Sequence, residues 1–417
     1  MIDSQQTEGS QNMSRRFIRA VAAGAIATLA AFAATAEEAP EKVRIGYAIS
    51  KTGPNAGGAA ASSTPNYELW AKEINAEGGL MLSAYGKRVP VEIVEYDDRS
   101  SSEEAVKAVE RLITQDEVDL VLAPWGTGMN LAVAPILHKN GYPHLAFNTL
   151  TDRAPELIER WPGIFFFEGT STIIAGATLD MLAQQRDAGK IGNKIAMIAI
   201  ADALGIELSA AYREMAAEKG FELVYDAAYP AGTQDFTPIL TEISSKSPDV
   251  FIANSYPPDT LTMTEQARVM SFNPAVYLTG IGTAMPMFPG QFGENVDGVM
   301  GIGGSDVASP ALQDYFKRHQ DSAGYPADRF ASQLTYAGLE ILQQAIENVG
   351  KIDRAAITEE LKTGTFRTVL GEVSLASQML ETLFYVGQWQ DGEFYGVGPS
   401  SLPGARAPVV PKPAWKN

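Results

Sequence analysis

The fold is decided by the stretch Lys194-Ile195-Ala196-Met197-Ile198-Ala199-Ile200, which is almost entirely apolar. A helix-like segment follows at 206–219 and ends at Gly220, and a second apolar segment occupies residues 221–227. Near-continuous apolar runs of this length are typical of parallel strands that are covered by helices on both faces. The pattern therefore predicts a strand–helix–strand unit whose two strands lie in one parallel sheet.

The same alternation continues beyond this unit and also occurs in an earlier, separate run of the chain. The later run adds strands at 249–253 and 275–279 and helices at 236–245 and 260–270. The earlier run has predicted strands at 43–49, 89–96, 119–123 and 143–147, and helices at 62–77, 102–115 and 131–139. Residues 311–361 are rich in helical pattern, and 384–395 return to strand pattern. Two runs predict an α/β protein with two lobes, each a parallel sheet flanked by helices.

Size and composition agree with two globular lobes. The chain has 417 residues, which is more than one ordinary domain needs, and 45% of them are hydrophobic. It contains no cysteine, so disulfides and thiolate chemistry are excluded. The net charge of −18 argues against nucleic acid and anionic lipid as partners, since both attract clustered Lys and Arg.

The chain lacks the motifs that carry catalysis, metals or cofactors. Its three histidines, His138, His144 and His319, are not at metal-ligand spacing. No phosphate-binding loop, dinucleotide-binding glycine pattern or nucleophile elbow is present. We therefore expect no metal, no cofactor and no enzymatic activity.

The first residues have the layout of an export signal. A basic segment, 14–19, precedes an apolar and mostly alanine run at 20–34, which closes on Ala34-Thr35-Ala36. This order is typical of a secretory signal peptide spanning residues 1–36. A membrane anchor is the other reading, but the run is short and alanine is weakly apolar. The paired arginines leave both the Sec and the Tat route open, and the processed protein is expected in the periplasm.

Several segments together resemble one known family. They are 45–47, 50–54, 71–79, 96–98, Gly205, 229–236 and 266–268. In order and spacing they are similar to the Leu/Ile/Val-binding family, the type I periplasmic binding proteins of ABC transporters. The resemblance implies three hinge crossovers, with residues 41–166 and 297–376 in lobe one and residues 167–296 and 377–417 in lobe two.

The resemblance also implies what the protein does. Members capture a small molecule in the cleft between the lobes, close about the hinge and deliver it to an ABC permease. For this chain we expect a small carboxylate-bearing solute. Two alternatives stay open: an amino acid of the branched-chain type, and a ligand-sensing receptor that presents its closed form to a signalling partner.

In lobe one, the expected site lies in two loops that follow predicted strands. In 124–130, the family supplies a hydroxyl and backbone N–H groups to the ligand carboxylate, which fall here on Thr127 and Gly128, and Trp125 offers an aromatic surface. In the second loop, Asn148 and its neighbours supply carbonyl and hydroxyl contacts. Either Thr149 or Thr151 fits the hydroxyl position.

In lobe two, the expected contacts are Thr170, Ser171 and the aromatic Tyr256. Amino-acid-binding members place a carboxylate after the strand 277–279, but this chain has Gly280-Ile281-Gly282-Thr283 there. Asp202 is the acid that stands in for it in the amino-acid alternative, because it follows a predicted strand of lobe two. Without a counter-charge, a buried ammonium group is costly, which favours a ligand without an amine.

The export signal gives the first testable prediction. N-terminal sequencing of the protein released from the periplasm should begin near Glu37, because the small residues Ala34 and Ala36 precede that bond. Recovery of the uncleaved chain in the membrane fraction would contradict it.

Overall fold

The computed structural model describes residues 38–416, so the predicted signal segment 1–36 lies outside the described residues. Within that range no helix is long and apolar enough to cross a membrane. The strands are β1 (Val43–Ile49), β2 (Leu80–Leu82), β3 (Lys87–Val89), β4 (Val91–Asp97), β5 (Leu120–Val121), β6 (His144–Ala146), β7 (Ile164–Phe166), β8 (Lys194–Ile200), β9 (Glu222–Tyr229), β10 (Val250–Asn254), β11 (Val276–Thr279), β12 (Met300–Ile302), β13 (Thr365–Thr368), β14 (Gly371–Ser374), β15 (Val386–Gln390) and β16 (Glu393–Gly398). The helices are Ala56–Ser62, Thr64–Ala76, Ser102–Thr114, Thr127–Lys139, Ala154–Arg160, Ser171–Asp187, Ala203–Glu218, Thr237–Ser245, Pro257–Val269, Met287–Phe292, Pro310–Ala323, Ala331–Val349 and Arg354–Thr363.

The first lobe is built on parallel strands whose two faces are both covered. Strand β1 pairs in parallel with β4 and β5, and β6 pairs in parallel with β7. Alternate residues of β1, such as Ile45 and Tyr47, enter the large core, whereas Ala48 faces a separate core beneath helices Ser102–Thr114 and Thr127–Lys139. Helix Ser102–Thr114 packs so closely that a Cβ on Gly46 would lie 2.7 Å from Leu112.

The second lobe is built on a seven-stranded sheet in the order β16-β15-β12-β11-β10-β8-β9. Strands β9, β8, β10, β11 and β12 are parallel, which confirms the predicted fold class. Strand β15 pairs antiparallel with β12 and with the edge strand β16. A tight hairpin joins β15 to β16, with positive φ angles at Asp391 (53°) and Gly392 (83°).

The strands of the seven-stranded sheet come from two stretches of the chain, β8 to β12 and β15 to β16. Strand β12 pairs with β11 and β15 in the second sheet, although the predicted division assigns residues 297–376 to lobe one. We therefore place the second crossing after Ile302, since the hydrogen bonds of a strand fix its sheet. The rest of the lobe division stays a prediction.

Helix Ala203–Glu218 starts so close to strand β8 that its third residue has no room for a side chain. Asp202 caps this helix by accepting a hydrogen bond from the Gly205 amide (2.9 Å). A Cβ on Gly205 would lie 1.9 Å from the Ile200 carbonyl oxygen, which is backbone and cannot move aside.

Gly205→Ala should therefore lower the free energy of unfolding by about 1–3 kcal/mol through overpacking, measured by urea denaturation. The matched control is Gly176→Ala, because Gly176 also lies in a helix but a Cβ there meets nothing within 4 Å. The control should gain stability, by about 0.5–1 kcal/mol. Equal effects of the two substitutions would contradict the close packing at Gly205.

Candidate functional site

A cavity of about 50 Å³ lies between the lobes and is lined by residues from both. The first lobe contributes Trp125, Gly126, Thr127, Asn148, Leu150, Asp328, Phe330 and Ala331. The second lobe contributes Ile174, Leu204, Tyr256, Ile281, Gly282, Ala284, Met285 and Ile302, and Glu168 lies on the segment that joins the lobes. A mostly apolar enclosure with a few polar groups is the usual character of a small-molecule site.

The loop before helix Thr127–Lys139 is held in place by hydrogen bonds to the buried side chain of Asn130. The amide nitrogen of Asn130 donates to the carbonyl oxygens of Pro124 (2.8 Å) and Gly126 (3.0 Å). The Asn130 oxygen therefore accepts from His144 Nε2 (2.9 Å), and burial lowers the pKa of His144 to about 3, so its ring is neutral. Gly126 caps the helix with φ 96°, a conformation that favours glycine.

Thr127 lines the cavity, but its hydroxyl is already engaged. It donates to the Leu150 carbonyl oxygen (3.3 Å) and accepts from the Leu150 amide (3.1 Å). A hydroxyl has one hydrogen to donate, so Thr127 joins the two loops of the site in this conformation. The neighbouring Gly128 is exposed, and a side chain there would meet nothing within 4 Å.

Trp125 forms one wall of the cavity and rests on helix Ala56–Ser62. Its Nε1 donates to Ser62 Oγ (3.0 Å), and a Cβ on Gly58 would lie 2.2 Å from its Cζ2 atom. The sequence predicted a helix only from about Ser62, because paired glycines disfavour helix. Contact with the indole ring is what makes glycine necessary at Gly58, and the ring occupies the space above it.

Asn148 also lines the cavity, and its neighbours are placed differently. Asn148 accepts from Ser63 Oγ (2.6 Å) and donates to Glu168 Oε1 (3.3 Å). Thr149 is fully buried outside the lining, and its hydroxyl has no hydrogen-bond partner among residues 38–416. Thr151 bonds across the cleft to Glu207 Oε1 (3.2 Å).

Of the predicted lobe-two residues, Tyr256 alone lines the cavity. Burial, together with the charge of Asp202, raises the pKa of the Tyr256 hydroxyl. Thr170 caps helix Ser171–Asp187 by accepting from the Ile173 amide (3.2 Å), and Ser171 is fully buried. Asp202 caps its own helix and lies outside the lining, because its carboxylate turns back toward the Gly205 amide.

Two lining carboxyl groups, Glu168 and Asp328, were missed by sequence reasoning. Glu168 comes two residues after the apolar strand β7, which is a position that could have drawn attention to it. Asp328 lies in an irregular segment before helix Ala331–Val349, and no sequence pattern marks it. Both are brought to the cleft by tertiary packing.

The cavity lining carries few ionisable side chains. Among its residues the ionisable groups are Glu168, Asp328 and Tyr256, and no Lys, Arg or His belongs to the set. No group of acidic and histidine side chains suited to a metal ion is found within residues 38–416.

Comparison with known proteins agrees with this architecture. Residues 42–393 match the family model described as "Periplasmic binding protein". The Leu/Ile/Val-binding protein homolog 7 of Brucella abortus is 22% identical over 393 residues, which cover 90% of this chain and 96% of that protein.

Two solved structures share the fold. The branched-chain amino acid transporter substrate binding protein LivJ from Streptococcus pneumoniae, in complex with isoleucine, aligns with a TM-score of 0.74 at 22% identity. That alignment covers 86% of this chain and 100% of LivJ. A solute binding protein of an ABC transporter from Rhodopseudomonas palustris BisB5, in complex with 3,4-dihydroxy benzoic acid, aligns with a TM-score of 0.73 at 17% identity. That second alignment covers 88% of this chain and 99% of the other chain.

Because the family model spans most of the described residues, the chain belongs to the periplasmic binding protein family.

Proposed function

We propose that this chain is the extracytoplasmic solute-binding protein of an ABC importer and captures a small carboxylate-bearing solute in the cleft between its lobes. The observation that carries the proposal is the cavity, whose walls come from both lobes and from the segment joining them. Neighbouring folds bind isoleucine and 3,4-dihydroxy benzoic acid, both small carboxylate-bearing molecules, in ABC transport systems. The proposal includes periplasmic localisation, a cleaved signal peptide and a membrane permease as partner.

The carboxylate end of the ligand fits the loop at the start of helix Thr127–Lys139. The first amides of a helix have no intrahelical acceptor, and the helix dipole favours an anion at that end. Gly126 and Gly128 have no side chains to block approach to those amides. Thr127 supports the site through Leu150, so its contribution is to fix the geometry of the amides.

The body of the ligand fits the apolar part of the cavity. Trp125 supplies a flat aromatic wall, and Ile174, Leu204 and Met285 supply the opposite wall from lobe two. Burial of the ligand's apolar surface contributes about 25 cal/mol of binding free energy per Å². The ligand is buried on both sides only when the two lobes are together. This arrangement favours an organic acid with an apolar or aromatic body.

Contacts across the cleft support closure of the lobes on the ligand. Glu207, at the start of helix Ala203–Glu218, accepts from Thr151 Oγ1 and from the Asp152 amide (3.0 Å). Asp152 in turn accepts from the Thr172 amide (2.9 Å). These bonds join lobe one to lobe two outside the cavity, so they form only when the lobes approach each other, as in hinge closure.

The direct test is isothermal titration calorimetry of the processed protein with benzoate, 3-phenylpropanoate and 4-methylpentanoate. Each acid is paired with its uncharged primary amide as a matched control. At least one carboxylate should bind, and its amide should bind at least about tenfold more weakly, because a hydrogen bond to a charged group is worth about 1.5–3 kcal/mol. Equal affinity of an acid and its amide, or chemical conversion of a bound probe, would overturn the proposal.

The Trp125 wall gives a second prediction. Gly58→Ala should push the indole ring into the cavity and weaken binding of the tightest of these carboxylates by about tenfold, since overpacking costs about 1–3 kcal/mol. Gly57→Ala is the matched control, because it lies one residue earlier in the same helix and its Cβ would meet nothing within 4 Å. Unchanged affinity in Gly58→Ala, with the fold intact by circular dichroism, would show that Trp125 does not line the binding site.

A further inference from the structure

Glu168 is placed differently from the other polar groups of the cleft. It follows β7 on the segment that enters lobe two, and its carboxyl group lines the cavity. One oxygen, Oε1, accepts from the Asn148 amide nitrogen at 3.3 Å. No hydrogen bond from residues 38–416 reaches the other oxygen, Oε2, and no cationic side chain belongs to the cavity lining.

Asp328 lines the same cavity and accepts more hydrogen bonds than Glu168 does. It accepts from the amides of Phe330 (2.9 Å) and Ser332 (3.1 Å), where helix Ala331–Val349 begins. Those amides and the helix dipole stabilise a negative charge on Asp328. Two carboxyl groups in one enclosure do not both ionise readily, so the less satisfied of the two, Glu168, retains its proton.

The pKa values also indicate that Glu168 keeps its proton more readily than Asp328. Burial raises the pKa of Glu168 to about 8, the charge of Asp328 acts in the same direction, and the Asn148 amide opposes it. Burial raises the pKa of Asp328 to about 6, against the effect of its backbone donors. The other titratable side chain of the lining is Tyr256, which does not ionise near neutral pH.

Arg329, next to Asp328 in the chain, does not supply the missing positive charge. Its guanidinium group lies 3.9 Å from the centroid of the Phe316 ring and pairs with Glu393 at 3.1 Å. Arg329 is also absent from the cavity lining. Glu168, which is partly buried, therefore has no cationic partner in the cavity lining, and the neighbouring Asp328 favours its neutral form.

We infer that Glu168 is a specificity-determining residue for a solute that lacks an amine. Glu168 itself is the uncharged carboxylic acid, and its Oε2–H donates a hydrogen bond to an anionic oxygen of the solute. The inference rests on the proposed function and names the class of ligand at the same site. A neutral carboxylic acid that donates to an anion needs no cationic side chain in the pocket. An ammonium group beside it would instead require Glu168 to ionise.

The two ligand classes give opposite pH dependence. A carboxylate that binds to protonated Glu168 keeps its affinity up to about pH 8 and loses about tenfold per pH unit above it, as the proton leaves. Protonation of Asp328 below about pH 6 also raises the affinity for a carboxylate, because it removes a negative charge from the cavity. A ligand ammonium paired with ionised Glu168 would instead gain affinity from pH 6 to pH 8.

The experiment is calorimetry at pH 6, 7, 8 and 9 with two matched pairs, 3-phenylpropanoate with phenylalanine and 4-methylpentanoate with leucine. The proteins are the wild type, Glu168→Gln, Glu168→Leu and the surface control Glu159→Gln. Glu159 is exposed on helix Ala154–Arg160, away from the cavity lining. Thermal unfolding of each variant shows whether it is folded, and the wild-type pH profile tests the inference without any variant.

We expect the amine-free acid of a pair to bind more tightly, with proton uptake at pH 8 to 9. Glu168→Gln keeps a donor and should hold affinity within about threefold while removing most of the fall above pH 8, whereas Glu168→Leu should lose about 10- to 100-fold. Tighter binding of the amino acid, rising affinity from pH 6 to pH 8 and loss of binding in Glu168→Gln would overturn the inference and leave the proposed function intact. Failure of every carboxylate probe to bind the wild type would contradict the proposed function itself.

Discussion

The position of the site depends on one constraint, the direction of the parallel strands. The carboxyl ends of parallel strands meet at one edge of a sheet, and ligands bind beyond that edge. In this chain Trp125, Asn148 and Glu168 follow β5, β6 and β7, while Tyr256 and Ile281 follow β10 and β11. Because the residues that follow these strands line the same cavity, loops that are far apart in sequence form a single site.

Closure of that cavity is coupled to contacts that do not touch the ligand site. Thr151 and Asp152 belong to the same loop as Asn148 and Leu150, so a shift in the lining reaches the bonds with Glu207 directly. The loop is also tied to Thr127 through Leu150. A ligand that orders this loop would therefore favour the arrangement in which the lobes are joined by these bonds.

The order of strands and helices could be predicted from the sequence, because the spacing of hydrophobic residues along a short segment differs between the two. Four residues that it proposed for the site, Trp125, Thr127, Asn148 and Tyr256, line the cavity, since loops after strands and the family resemblance both point there. It did not predict that Thr127 would bond to Leu150 or that Asp202 would cap its own helix, since a polar side chain near a backbone amide has competing partners. Asp328 and helix Ala56–Ser62 could not be predicted, because tertiary contacts alone bring them to the cleft.

The central claim is that both lobes hold the ligand together. It is tested most directly by hydrogen–deuterium exchange of the processed protein, with and without a saturating carboxylate that calorimetry has shown to bind. We expect slower exchange in segments of both lobes at once, at 124–130 and 148–152 in the first and at 170–174, 203–208 and 281–285 in the second, with the outer helices unchanged. Protection confined to one lobe, or located away from these segments, would contradict it.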